Sequence, residues 1–258
     1  MSKAIVLVAF GSANLEGIKN SIGLLEKDFN KEFSDNYTIV KAFTSNKVIE
    51  LLKERHDYVV PHLSNAIFNL INHGYEDIII QPLHVMSGTD QKQIQEIVDE
   101  YQYSLESLLI SKVLFDSTGS TVERSDEIAK IISRGTENEN ILLVGHGSNI
   151  NSNELYDTIE ESVKKISNKN VYMATLEGER TIDKAIKNII DDEIDSLVIK
   201  PLFMIPGKHV ISDIVDGDES IVNKLGKNNI KAIMKEDSLL QYEDIRQIFV
   251  RNIKDLVK

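Results

Sequence analysis

Two stretches far apart in the chain are spelled almost alike: Ile78 to Gly88 reads IIIQPLHVMSG and Leu197 to Gly207 reads LVIKPLFMIPG. A second pair keeps the same order, with Phe10-Gly11-Ser12 in VAFGS answering His146-Gly147-Ser148 in VGHGS. Ordered self-similarity means one structural unit written twice, so any fold must be assembled from two similar halves. The first half carries the β-branched apolar runs AIVLVAF, YTIVKAF, DIIIQPL and ISKVLF, and the second carries ILLVGH, VYMATL, SLVIKPL and IKAIMK at comparable spacing. Segments with helical periodicity separate them. Strand alternating with helix calls for a parallel sheet. The expected architecture is therefore α/β, with two duplicated Rossmann-like lobes, each a four-stranded parallel sheet flanked by helices, and a cleft between the lobes.

The boundary is expected in the polar stretch between Phe115 and Asn140, where a helix near Val122 to Ser133 leads into the second half. That gives an N-terminal lobe over 1–118, a C-terminal lobe over 119–238, and a terminal helix over 239–258 that packs back on the first lobe. Ile245, Ile248, Phe249, Ile253 and Leu256 form the apolar stripe of that helix.

Composition removes several classes of function. The 258 residues include no cysteine, which excludes disulfides, thiolate zinc sites, iron–sulfur clusters and cysteine nucleophiles. Any metal must rest on His, Asp or Glu. The formal net charge is −12, and no long basic run occurs, so no nucleic-acid partner is expected. An apolar run of about 18 residues is missing, and the opening MSKAIVLVAFGS is too soon broken by glycine for a signal peptide, so no membrane association and a cytoplasmic location are expected. Neither G-x-G-x-x-G after a strand nor G-x-x-x-x-G-K-[ST] is present, which argues against a nucleotide.

In open parallel sheets, ligands gather beyond the carboxyl ends of the strands. Aligning the two halves there is informative. After the first strand, Phe10 stands opposite His146; after the second, Ser45 of AFTS stands opposite Glu177 of ATLE; after the third, Asp90 of SGTD stands opposite His209 of PGKH. The second half alone offers His, Glu and His, a nitrogen and oxygen set suited to a divalent first-row metal. Each of these has a plainer explanation, as a satisfied strand-end histidine, a helix cap or a solvated carboxylate, but three coincidences at one sheet edge favour a metal site. His56, His62 and His73 lie in helical segments and read as solvated or capping residues. His84 follows the third strand of the first half and reads as a substrate contact, with a hydrogen-bonded turn histidine as the alternative. The Gly-Ser turns are expected to end in serine-capped helices.

The segments VAFGS, KAFTS, IQPLHVMSG, VGHGS, ATLEGE and KPLFMIPGKHVISD, in that order along the whole chain, resemble the anaerobic sirohydrochlorin cobaltochelatases, class II chelatases of the ferrochelatase-like superfamily. The resemblance implies the chelatase fold and ATP-independent insertion of Co²⁺ into sirohydrochlorin or a similar tetrapyrrole. Co²⁺ enters as a substrate metal, with Fe²⁺ or Ni²⁺ also accepted in vitro, and no nucleotide is needed. It places the metal on His146, Glu177 and His209, which also serve catalysis, and matches a cleft loop at His84, Val85, Met86, Ser87, Gly88 and Asp90; Phe10, Gly11, Ser12 and Ser45, at the strand ends of the first half, are expected to contact substrate with that loop. A homo-oligomer is compatible with it. Insertion of Fe²⁺ toward sirohaem or protohaem, and a noncatalytic metal or tetrapyrrole carrier, are the alternatives.

Overall fold

A computed structural model describes residues 2–115, 121–147, 153–207, 210–235 and 238–257, with backbone alone for 121–123, 153, 210 and 211. The chain divides into two compact units, one comprising residues 1–117 with 246–258 and the other residues 118–245. The first unit runs β1 (Ser2–Ala9), α1 (Leu15–Lys19), α2 (Ile22–Phe33), β2 (Thr38–Phe43), α3 (Asn46–His56), α4 (Leu63–Asn72), β3 (Tyr75–Pro82), α5 (Thr89–Tyr101) and β4 (Ser107–Ile110). The second runs α6 (Thr121–Ser133), β5 (Ile141–Gly145), α7 (Asn153–Lys164), β6 (Val171–Thr175), α8 (Ile182–Asp191), β7 (Ser196–Pro201), a π-helical turn (Val210–Asp216), α9 (Ile221–Lys227) and β8 (Lys231–Met234). Helix α10 (Glu243–Leu256) closes the chain.

Each unit holds a four-stranded sheet, in the orders β2-β1-β3-β4 and β6-β5-β7-β8, and the neighbouring strands in both are parallel. The two orders are the same, so the duplicated sequence folds as a duplicated topology. Strands β1 and β5 lie inside their sheets, and their continuous apolar runs follow from burial on both faces: Ala4 to Val8 and Leu142 to Val144 are fully buried.

The halves differ between their second and third strands. Parallel bridges link Phe43 to His62 and Thr175 to Thr181, each just before a helix. This pairs α4 with α8 and leaves α3 as an extra helix of the first unit, occupying the place of a short loop in the second.

Some expectations shift. The strand read at ISKVLF forms earlier, at Ser107–Ile110, because apolar residues continue through both stretches and the ladder with β3 takes the first. Leu114 and Phe115 then donate to the carbonyls of His84 and Val85, stitching an irregular segment to the loop after β3. Ser12 is not the helix cap; Asn14 caps α1 by accepting from Gly17 N–H, while Ser12 Oγ accepts from Asn14 N–H. On α10, Ile245, Ile248, Phe249 and Ile253 are fully buried but Leu256 is 40% exposed, since the stripe outruns the surface beneath it.

From Arg246 onward α10 belongs to the first unit. Arg246 Nε donates to Asp28 at 2.6 Å, Lys254 pairs with Glu32, and Asn252 donates to the Lys112 carbonyl at 3.1 Å. Phe249 supplies the apolar anchor. Phe249→Ala is expected to cost about 3–5 kcal/mol, read as a lower urea midpoint for the first unit together with earlier proteolysis within α10.

Candidate functional site

Parallel strands must release their chains into loops at the carboxyl edge, and the backbone there is tied in the same way in both units. In the first, Thr44 N–H donates to the Ala9 carbonyl at 3.0 Å and Ser45 N–H to that of Phe10 at 3.2 Å. In the second, Leu176 N–H donates to Gly145 at 3.0 Å and Glu177 N–H to His146 at 2.9 Å. A third bond repeats too, Leu83 to Val8 and Leu202 to Val144, both 2.7 Å. These bonds give Phe10 and His146, Ser45 and Glu177, and His84 and Phe203 as equivalent positions.

His146 and Glu177 therefore leave adjacent turns joined by a direct hydrogen bond, and both are exposed. Gly147 makes the approach possible. Its φ is +83°, and a Cβ there would collide with the carbonyl of Glu177. Its N–H donates to the hydroxyl of Tyr156 at 3.2 Å, so that amide is committed within the protein. The His146 ring sits 6.2 Å from that of Phe203, edge to face, and its Nδ1 lies 3.3 Å from the Gly147 carbonyl. A carbonyl only accepts, so this contact favours the tautomer with the proton on Nδ1 and the lone pair on Nε2.

His209, Lys208 and Ser148 lie outside the described residues. Among the described residues no group of three or more His, Asp or Glu side chains is placed to hold an ion. The π-helical turn Val210–Asp216 starts at the residue after His209. Insertions of this kind are frequent at functional sites, and no periodicity in the sequence announces one.

In the first unit, Phe10 is 50% exposed, an unusual position for a large ring at a strand end. His84, Val85 and Met86 are partly buried, Ser87 and Gly88 are exposed, and Asp90 opens α5. His84 is distinctive: 11% of its side chain is accessible, neither ring nitrogen has a hydrogen-bond partner among the described residues, and the Asp90 carboxylate lies 3.9 Å from its Nε2. Ser45 caps α3 by accepting from Val48 N–H. Of the other histidines, His62 caps α4, its Nε2 directed at the Thr44 carbonyl, and His73 closes the same helix on the Asn69 carbonyl.

Equivalent strand ends thus carry exchanged rings, Phe10 with His84 in one unit and His146 with Phe203 in the other. Arg180 lies three residues beyond Glu177 in the sequence. It is neither exposed nor unengaged: its guanidinium is paired with Asp157 and Glu160 of α7.

The whole chain, residues 3–258, matches the family described as cobalt chelatase (CbiK). The chain belongs to this family. It is a metal chelatase. A Salmonella typhimurium protein named sirohydrochlorin cobaltochelatase is 22% identical over 254 residues, spanning 98% of this chain and 96% of its own. A Methanococcus maripaludis protein of the same name is 33% identical over 81 residues, 30% of this chain and 55% of its own. The fold is shared with SirB from Bacillus subtilis, solved with Fe³⁺, at TM-score 0.65 and 15% identity, covering 99% of this chain and 95% of that one. A cobalt complex of the sirohydrochlorin chelatase SirB from Bacillus subtilis subspecies spizizenii gives TM-score 0.64 at 14% identity, with the same 99% and 95% coverage. Among the described residues no helix of this chelatase is long and apolar enough to cross a membrane.

Two outcomes test the geometry. Gly147→Ala is expected to displace the Glu177 turn and lower stability by about 2 kcal/mol or more, measured by urea unfolding. Burial holds the His84 imidazole below the ordinary histidine range, with Asp90 opposing the shift without reversing it. As pH falls through about 6.5 the unfolded chain takes up a proton that the folded one refuses, so stability is lost on acidification. Replacing His84 by the residue at its equivalent position, His84→Phe, is expected to shrink the fall in Tm between about pH 7.5 and 5.5 by about 2–4 °C, followed by differential scanning calorimetry.

Proposed function

We propose that this chelatase inserts Co²⁺ into sirohydrochlorin without ATP, with His146, Glu177 and His209 as the metal donors. The observation that carries the reading is the pairing of His146 and Glu177 on hydrogen-bonded turns, in the unit whose counterpart offers Phe10 and Ser45 in the same backbone frame. An imidazole and a carboxylate side by side suit a borderline divalent ion. The name of the full-length Salmonella relative supports the choice of metal and macrocycle.

The ion is held first with coordination positions open, because a closed shell could not pass it on. Pyrrole nitrogens then replace protein donors while two N–H protons leave, so the charge of the entering cation balances the protons lost. An imidazole released from the ion takes one proton and the Glu177 carboxylate accepts the other. Exposed Glu177 and Glu179 add local negative potential that draws a cation to the turn. Sirohydrochlorin itself is polyanionic, and the chain carries a net −12, so the macrocycle is held by short-range contacts. We assign these to the half-exposed ring of Phe10, to Gly11, Ser12 and Ser45, and to the loop from His84 through Val85, Met86, Ser87 and Gly88 to Asp90.

Purified protein mixed with sirohydrochlorin and either Co²⁺ or Fe²⁺ at equal concentration is expected to metallate faster with Co²⁺, followed by the absorbance change. A faster reaction with Fe²⁺ would favour an iron chelatase, a reading that the Fe³⁺ complex of the shared fold keeps in view. His146→Ala is expected to slow insertion about a hundredfold or more. Insertion by that variant at the original rate would overturn the donor assignment.

A further inference from the structure

Helix α7 grips both turns that carry the described donors. Tyr156, 3% exposed, lays its ring against Gly145, where a Cβ would collide with it, and its hydroxyl accepts the N–H of Gly147 at 3.2 Å. At the next residue of the helix, Asp157 pairs with the Arg180 guanidinium, and Glu160 accepts from Arg180 Nη1 at 2.8 Å. Glu160 lies three residues after Asp157 and four after Tyr156, the spacings at which helix side chains are neighbours. Arg180 sits in the loop of Glu177, and its carbonyl accepts from Thr175 N–H at 2.7 Å. Thr175 Oγ1 also donates to the Glu177 carbonyl at 2.7 Å.

The first unit shows that this strut is not needed to build the fold. There Phe43 N–H donates to the carbonyl of Pro61 at 3.0 Å, so Pro61 supplies the backbone acceptor that Arg180 supplies in the second unit. Proline carries no cation to pair with a neighbouring helix. The ion-paired arginine occurs in the unit that carries His146 and Glu177.

We propose that Arg180 is a positioning residue, which by its ion pairs with Asp157 and Glu160 holds the Glu177 carboxylate at the spacing from His146 that a divalent cation requires. This rests on the reading of Glu177 as a metal donor. It also removes Arg180 from the set of groups available to substrate carboxylates, because two protein carboxylates already engage the guanidinium. Groups that orient metal ligands characteristically change metal affinity by about 10–100-fold when removed.

The test titrates the full chain with Co²⁺ alone, by calorimetry and by the visible absorption of the bound ion, for Glu177→Gln, Arg180→Met, Arg180→Lys and the Glu177→Gln/Arg180→Met double variant. Arg180→Met is expected to raise the Co²⁺ dissociation constant about tenfold, and Arg180→Lys to recover part of that loss. In the Glu177→Gln background, Arg180→Met is expected to add less than about twofold, because residues acting as one unit are not additive. In turnover, Arg180→Met raises the half-saturating Co²⁺ concentration while kcat at saturating metal changes less than about threefold. Wild-type Co²⁺ affinity in Arg180→Met, or losses that simply add in the double variant, would overturn the proposal. Unchanged affinity in Glu177→Gln would instead overturn the donor reading beneath it. Should Arg180→Met fail to fold, Asp157→Asn on the exposed side of α7 replaces it in the same comparison, with an expected loss of about threefold and wild-type affinity as the overturning result.

Discussion

Everything at the candidate site depends on a pair of backbone hydrogen bonds that tie the exit of the second strand in each sheet to the exit of the first. Parallel strands end without a hairpin to join them, so their loops would splay if no bond reached across. Here Leu176 and Glu177 donate to Gly145 and His146, as Thr44 and Ser45 donate to Ala9 and Phe10. A carboxylate and an imidazole in the second unit thereby start from neighbouring points of a rigid frame. Under the proposed donor assignment, side-chain rotamers alone remain to be set, which keeps the entropy of assembling the two groups low.

The duplication was legible because it repeats both phrase and order, and a pattern of that strength survives local irregularity. It yielded both sheets, their parallel sense and the alignment of Phe10 with His146. It also yielded the helix at Val122 to Ser133, found as Thr121–Ser133. What escaped were features decided by tertiary choice. The apolar continuity from Leu105 to Phe115 offers two possible strands, and pairing with β3 selected the earlier. The helix α3 has no partner in the second half, so comparing halves could not place it. Arg180 could not be distinguished from a solvated charge, because its partners Asp157 and Glu160 lie on a helix one strand earlier. Tyr156 gave no signal for the same reason, although the bare backbone of Gly145 beside a helix is what a tightly seated ring requires.

Charge gives the two substrates opposite demands. A net charge of −12 attracts a divalent cation from a distance and repels a polycarboxylate. Affinity for the macrocycle then has to come from contact at short range. Phe10 suits this role, since a ring half in solvent can be covered by another flat ring with gain of apolar burial. Its counterpart His146 is the residue proposed to meet the cation, so under that reading the two units differ by the residue each places at the end of its first strand.

The exchanged rings have one more implication. Imidazole and phenyl are flat rings of similar reach, so trading Phe10 and His84 for His146 and Phe203 moves a lone pair from one strand tip to another while leaving the outline of each tip almost unaltered. A duplicated ancestor of this shape could change which half was reactive without rebuilding its interior. The largely buried imidazole of His84, without a hydrogen-bond partner among the described residues, marks the tip where nitrogen now sits in the dry position and carbon in the wet one.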